Sequence, residues 1–381
     1  MREPPTEAAA AGATTAQPLW RAATSARVRD LAWCTMSPPL LRQLPAALSE
    51  GNPVTMGCWP AGALGDWSRW LAQADPEALP PTIEELSAAP DAAPFHGLPA
   101  ARRSLRLGRH AERLLQFALE HAGGLELLAV NLPIRRPTAH GVQTLGELDF
   151  VWRERPHGAP PGPLVHWEMA TKFYLLVPPD NGAADLQSFV GPNLVDRLGD
   201  KLAHIVQRQL PLSGSPEAQA LLGAPVGRSE IYLLGWLFYP DGVMPPGLDA
   251  LGLHPAHLRG WWSTLENWAR RAGAAGAQGG GAPVRWHRLS RARWLSQALA
   301  PEAETESFAS LHAALAARFA EPQPELAWRR ESPVMICEME PAGPDAPGWW
   351  CERSRGFVVP PGWEERARER AAQPNADRPR R

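Results

Sequence analysis

The sequence predicts an α/β chain, and two contrasting periodicities carry that expectation. Runs at 125–134, 146–152, 166–176 and 230–240 are short, apolar and rich in branched or aromatic residues, as strands are. Around 107–118 and 195–209, apolar residues instead recur at helical spacing. A third observation marks where chemistry would sit. Two strand-like runs carry charges where a purely structural strand is uninterrupted: Glu147 and Asp149 in GELDFVW, and Glu168 with Lys172 in HWEMATKFYLL. Strand side chains alternate, so each pair falls on one face of its own strand. If the two strands are neighbours, three carboxylates and a lysine converge.

Taken in order, residues 1–19 are rich in Pro, Ala and Thr and read as a disordered tail. Residues 20–99 read as a helical region. ARVRDLAWCTM forms a short helix stopped by Ser37-Pro38-Pro39, and WPAGALGDWSRWLAQ a second, with Trp59, Trp67 and Trp70 as packing residues. The SAAPDAAPFHGLPA stretch has no period and serves as a connector.

Residues 100–240 read as the α/β core. Leu107, Ala111, Leu114, Leu115 and Ala118 mark one helical face that ends at Gly123-Gly124, with Glu112 at its edge. The LELLAVNLPI strand, a turn-rich AHGVQT segment and the GELDFVW strand follow. A Gly/Pro-rich hairpin loop from Arg155 to Pro163 precedes HWEMATKFYLL, which Pro178 and Pro179 close. VDRLGDKLAHIVQRQLPL is a helix to Pro211, with Val195, Leu198, Leu202, Ile205 and Gln209 inward and Arg197, Lys201, His204 and Arg208 as a basic stripe. EIYLLGWLFYP has large side chains on both faces, as a central strand does.

Residues 241–363 form a C-terminal elaboration: a helix through LRGWWSTLENWARRAG, a flexible Gly-rich run, a helix over 303–319, and a strand pair from VMICEME and WWCERSRGFVV. The charged residues 364–381 read as a frayed tail. The 285–294 segment interleaves Arg285, Arg288, Arg291 and Arg293 with Trp286 and Trp294. It can contact phosphates and stack on bases, or anchor the C-terminal part through its tryptophans. Residues 273–282 lack the Lys and Ser/Thr of a phosphate loop.

Composition narrows the function classes. With 38 basic and 40 acidic residues the chain has no global basic signature, so any nucleic-acid contact must come from local patches. Four cysteines without a CxxC pair read as reduced intracellular thiols rather than a disulfide framework or zinc site. No uninterrupted apolar 18-mer and no leader-like opening occur, so a cytoplasmic chain without a membrane partner is expected.

The acidic runs have two readings. Two carboxylates at close range repel one another, and Mg2+ or Mn2+ is one way to keep both ionised. Lys172 would then contact phosphate or orient an attacking water, and Glu112 or Glu147 would complete the metal shell. The plainer reading is a solvated sheet face on which Glu168 and Lys172 form an ion pair worth about 0–1 kcal/mol. His166 shares the face of Glu168, as a base or as a structural histidine. No histidine-rich motif favours Zn2+ over Mg2+ or Mn2+.

LGRHAE, TLGELDFVW, HWEMATKFYL and FVGPNLVDRLGDKLAHIVQRQLPLS, within about residues 107–213, resemble the bacterial DUF1853 family of uncharacterised proteins, placed within the PD-(D/E)XK nuclease-like superfamily. The RVRDLAW opening and RGFVVPPGW ending are similar to the family's two ends. The resemblance implies a PD-(D/E)XK nuclease-like mixed sheet of about four strands flanked by helices, with a metal site at its opened edge. It places family-style roles on Glu112, Asp149 and Glu168 as metal ligands; together with the strand-face reading above, Asp149, Glu168 and Lys172 are the expected catalytic set, with Glu147 and His166 accessory. One departure stands out: Ala170 occupies the position of the superfamily's lysine, and Lys172 lies one pleat farther on, about 6–7 Å along the strand. Lys201, with Arg197 and Arg208, supplies further phosphate-binding candidates from the following helix. The expectation is a Mg2+- or Mn2+-dependent phosphodiester hydrolase acting on DNA or RNA. The alternative is a non-catalytic nucleic-acid-binding or interaction protein on the same scaffold.

Overall fold

The apolar runs assemble into one mixed sheet of eleven strands. The computed structural model describes residues 17–49, 54–88, 106–180, 183–277, 284–320, 332–344 and 346–374. Most of the N-terminal tail, all but the start of the 87–100 connector, the end of the Gly-rich run and the last seven residues lie outside the described residues.

Helices α1 (Leu19–Ala22), α2 (Ala26–Met36) and α3 (Ala46–Ser49), strand β1 (Thr55–Met56), and helices α4 (Ala61–Leu71) and α5 (Ile83–Ala88) make up the N-terminal region. Helix α6 (Leu107–His121) leads into β2 (Leu125–Thr138), β3 (Gly141–Glu154), β4 (Leu164–Leu176) and β5 (Phe189–Val190). Helix α7 (Leu198–His204) runs on through one π-helical turn, Ile205–Gln209, and a 3-10 stretch, Leu210–Gly214, before α8 (Pro216–Leu222) and β6 (Val226–Pro240). The C-terminal part supplies β7 (Leu258–Thr264), α9 (Leu265–Ala277), β8 (Arg285–Arg288), β9 (Leu299–Pro301), α10 (Phe308–Ala320), β10 (Val334–Pro341), β11 (Trp349–Val359) and α11 (Trp363–Ala372).

The sheet order is β2-β3-β4-β6-β7-β11-β10-β8, with β1 beside β6, β5 beside β4 and β9 beside β11. Strands β2, β3 and β4 are antiparallel, while β6 runs parallel to both β4 and β7. The C-terminal strands therefore extend the sheet of the core instead of forming a second layer. Strand β6 shows why its sequence has no polar face. Tyr232, Leu234, Trp236 and Phe238 pack toward α2, α4 and α6, while Ile231, Leu233 and Leu237 pack toward α7. At Gly235 (φ +149°) a side chain is impossible, because a Cβ there would lie 1.7 Å from the carbonyl oxygen of Lys172.

Several elements differ from expectation. LRGWWST is strand β7, not helix, because Trp261 and Trp262 are held between β6 and β11, both parallel to it; the helix begins only at Leu265. The AHGVQT segment is mostly strand, the turn shrinking to Ala139-His140. The tail is helical over Trp363–Ala372, anchored by a fully buried Trp363 whose indole N–H donates to Pro192 O (2.9 Å). Val195 lies outside α7 and is 77% exposed. Trp59 and Trp67 are buried, whereas Trp70 is 43% exposed and stacks on Trp67. In the 285–294 segment Trp286 is buried, and Arg288 and Arg293 pair with Glu306, Glu84 and Glu304. The geometry thus matches the anchoring reading of that segment. Among the described residues no helix is long and apolar enough to cross a membrane.

Candidate active site

Strands β3 and β4 pair only over Phe150–Trp152 and Val165–Trp167, then part. Asp149 and Glu168 are the first residues beyond the last bridged pair, Phe150 and Trp167, so the acids stand where the sheet opens. The opening leaves a ladder N–H without a strand partner. The Asp149 Oδ2 atom accepts it from Met169 N at 3.0 Å, satisfying a backbone group that parting the strands would orphan.

Glu168 is 1% exposed. His166 donates Nε2–H to its Oε1 (2.8 Å), and Gln209 donates Nε2–H to its Oε2 (2.5 Å). Burial pushes both carboxyls up, Asp149 to about 7 and Glu168 to about 7, and the neighbouring Glu168 charge adds to the rise on Asp149. Near neutral pH the pair therefore takes up a proton or a cation. Burial lowers His166 to about 4, which keeps it neutral, and its Nδ1 is buried without a partner.

The nearest cation comes from the following helix. Lys201 donates to Gln209 Oε1 (3.0 Å) and makes no ion pair among the described residues. Burial and then Lys172 lower its pKa, opposed by the charges of Asp149 and Glu168. One Gln209 amide thus links lysine to carboxylate. The π turn, a feature frequent at functional sites, carries Gln209.

The other expected residues sort by position. Lys172 shares the β4 face of Glu168, but its ammonium is held by Asp196 Oδ2 (2.6 Å), which also accepts from Tyr174 OH (3.2 Å). Glu112 lies at the rim on α6, bound to Arg109 (2.6 Å), which also reaches Asn131 Oδ1 (2.9 Å). Burial raises the Glu112 pKa against the pull of Arg109, and the charge of Asp149 raises it further. Glu147 is exposed on β3. Arg197 stands apart. It is 1% exposed, pairs with Asp200 (2.7 Å), and donates to carbonyls of Arg370, Ala371, Gln373 and Pro374 at the end of α11. Its guanidinium caps that helix and is not open to a phosphate. Arg208 is exposed, with no side-chain partner among the described residues.

Helical spacing puts Gln209 on the apolar stripe, and its amide is the signal there, the only polar side chain among Val195, Leu198, Leu202 and Ile205. Arg109, three residues before Glu112 on a helix, was legible by spacing. Nothing in the sequence marks Asp196.

Among the described residues no group of three or more His, Cys, Asp or Glu side chains is arranged to hold a metal ion. The pair still fits Mg2+ or Mn2+, because Mg2+ is commonly held by one or two carboxylates together with waters and substrate phosphate. Two neighbouring acids, one buried and one half-buried, each raised to about 7, are a donor set on which such an ion can replace a proton.

No curated protein and no solved structure matches the chain. A family model does, over residues 29–359, which is most of the chain, and the protein accordingly belongs to the family described as Domain of unknown function (DUF1853).

Proposed function

We propose that Asp149 and Glu168, with Lys201, form the centre of a divalent-metal-dependent phosphodiester hydrolase acting on nucleic acid, on a PD-(D/E)XK nuclease-like scaffold. The observation that supports it most is the convergence of the buried Glu168 and the half-buried Asp149, each raised to about 7, at the point where the sheet opens. Acids with pKa values near neutrality and a lysine within their field are more characteristic of chemistry than of packing.

In this reading Asp149 and Glu168 hold the metal, and Asp149 is kept in place by Met169 N–H. A Mg2+ or Mn2+ ion would polarise a phosphoryl oxygen and offset charge in the transition state. His166 and Gln209 orient Glu168 from opposite oxygens. Lys201 takes the place of the lysine absent at Ala170 and supplies its charge to a non-bridging oxygen as water attacks phosphorus and the P–O bond to the leaving group breaks. Lys172 binds phosphate only by giving up Asp196.

The test is cleavage of labelled DNA and RNA with Mg2+ or Mn2+. Asp149→Ala and Glu168→Ala should each lower the rate by at least about 10²–10³-fold. Unchanged cleavage in both variants sinks the centre. A second reading, a nucleic-acid-binding protein that keeps the scaffold without turnover, draws on the fact that both Glu168 oxygens and the Lys172 ammonium already have protein partners. Salt-sensitive binding without metal-dependent turnover would favour it.

A further inference from the structure

Beyond Phe150, β2 is the only strand partner of β3 among the described residues, so the two run on as a two-stranded ribbon past the edge of the sheet. The base of the ribbon is covered on one face. Ile134 and Leu148 pack there with Ala218, Leu212 lies against Gly146, and Arg136 pairs with Glu217 of α8 (2.6 Å). Farther out the covering stops, and residues 135–138 and 141–144 are all exposed. An isolated two-stranded ribbon is marginal in water, so an arm exposed on both faces wants a partner.

The opposite face leads back to the acids. Directly paired residues of an antiparallel ladder share a face, and Pro133 pairs with Glu147, two positions from Asp149. Arg135, two positions beyond Pro133, therefore lies on the face of Asp149. The arm sequence RRPTAHGVQT has no acid and no Phe, Tyr or Trp. The side chains of Arg135, His140 and Gln143 make no hydrogen bond or ion pair among the described residues, in a molecule whose arginines are mostly paired.

We propose that this ribbon is a DNA-docking arm that lies in the major groove of a duplex whose backbone passes the Asp149–Glu168 opening. The proposal rests on the phosphodiester reading for its choice of polyanion, and the ribbon decides the rest. Pro133 and Pro137 interrupt the donors of β2, the edge strand, so a protein partner cannot extend the sheet there. The absence of large aromatic rings argues against a single strand read by stacking. A two-stranded β-ribbon fits the major groove of B-form DNA, about 12 Å wide, whereas the corresponding groove of A-form RNA is too narrow for it.

The ladder also sets a reach. Arg135 pairs with Thr144, five residues from Asp149 with one absorbed by a bulge, and His140 is nine residues away. At about 3.3 Å per residue these are about 13–17 Å and 26–30 Å, or about four to five and eight to nine base pairs at 3.4 Å each.

The test is fluorescence anisotropy of the full chain carrying Asp149→Asn and Glu168→Gln, with DNA and RNA duplexes of about 6, 10, 14 and 20 base pairs. Affinity for DNA should rise from about 6 to about 10 base pairs and then level off per available site. DNA should bind at least about tenfold more tightly than RNA. Arg135→Ala should weaken binding to the 10-mer by about 3–10-fold and reduce the salt slope by about one, and Arg135→Lys should restore most of both. Equal affinity for DNA and RNA, no gain between 6 and 10 base pairs, or an Arg135→Ala protein with wild-type affinity and salt slope would each overturn the arm. Hydrolysis of bis-p-nitrophenyl phosphate by the wild type with Mn2+ separates the two claims. No hydrolysis alongside arm-dependent DNA binding removes the chemistry and keeps the arm; hydrolysis without arm dependence does the reverse.

Discussion

Arg355 on β11 and the pair formed by the buried Glu168 of β4 and the half-buried Asp149 of β3 are charges withdrawn from solvent on one sheet, and their surroundings differ in kind. Arg355 is fully buried and meets Glu352 through two parallel bonds of 2.6 Å. It also donates to Trp294 O (2.6 Å) and Ser296 O (2.5 Å) and lies 4.1 Å from the centre of the Trp236 ring. The remaining capacity of Glu352 is taken by Ala298 N (2.7 Å). There one positive charge meets one negative charge and every nitrogen of the guanidinium has a hydrogen-bond acceptor, as a buried ion pair requires if it is not to weaken the fold. At the opening of the sheet, two like charges face each other, the closest lysine reaches them only through an amide, and His166 Nδ1 has no partner. A sheet able to build the first arrangement leaves the second with an uncompensated charge that a cation could complete.

The largest test of this contrast is stability. Glu352→Ala leaves Arg355 buried and uncompensated and should cost about 3–5 kcal/mol in urea unfolding. Glu168→Gln keeps the shape and removes a repelling charge, so it should cost little and stabilise the metal-free protein at pH 8. Equal destabilisation by both substitutions would break the comparison.

A smaller effect separates the two lysines. Lys201 is half-buried, within the field of the acids and without an ion pair among the described residues, whereas Lys172 is engaged by Asp196. Lys201→Ala should lower metal-dependent cleavage by about 10²-fold, and Lys172→Ala by no more than about tenfold. The reverse order would return the role to the strand lysine and make Asp196 a displaceable stand-in for phosphate.

How much of this was legible follows from which interactions are local. Alternation in GELDFVW and HWEMATKFYLL placed Asp149 and Glu168 on strand faces, and the uninterrupted apolar run of β6 announced its central place. What could not be read depends on distant partners. LRGWWST has helix-compatible composition and becomes a strand because β6 and β11 offer ladders on both sides. Arg197 looks like any member of a basic stripe until α11 brings its carbonyls to it. Periodicity puts Gln209 on the inward stripe, but neither the π turn that carries it nor the bridge it makes from Lys201 to Glu168 has a signature in that periodicity.

The finest test is the pH dependence that the unsatisfied pair imposes. Folding raises Asp149 from an ordinary 3.8 to about 7 and Glu168 from 4.5 to about 7. Between about pH 4 and pH 7 the native state therefore binds more protons than the unfolded chain, so this pair makes stability fall as pH rises through that window and level off above it. Asp149→Asn and Glu168→Gln should each flatten that slope. Mn2+ competes with the same proton. Its stabilising effect, about 2.7 kcal/mol at a hundredfold excess over its Kd, should be full at pH 8, shrink toward pH 6 and be absent from Glu168→Gln. Thermal unfolding with and without Mn2+ at the two pH values measures it. A Mn2+ effect independent of both pH and Glu168 would mean that the ion binds elsewhere and that the strained pair serves only to hold a proton.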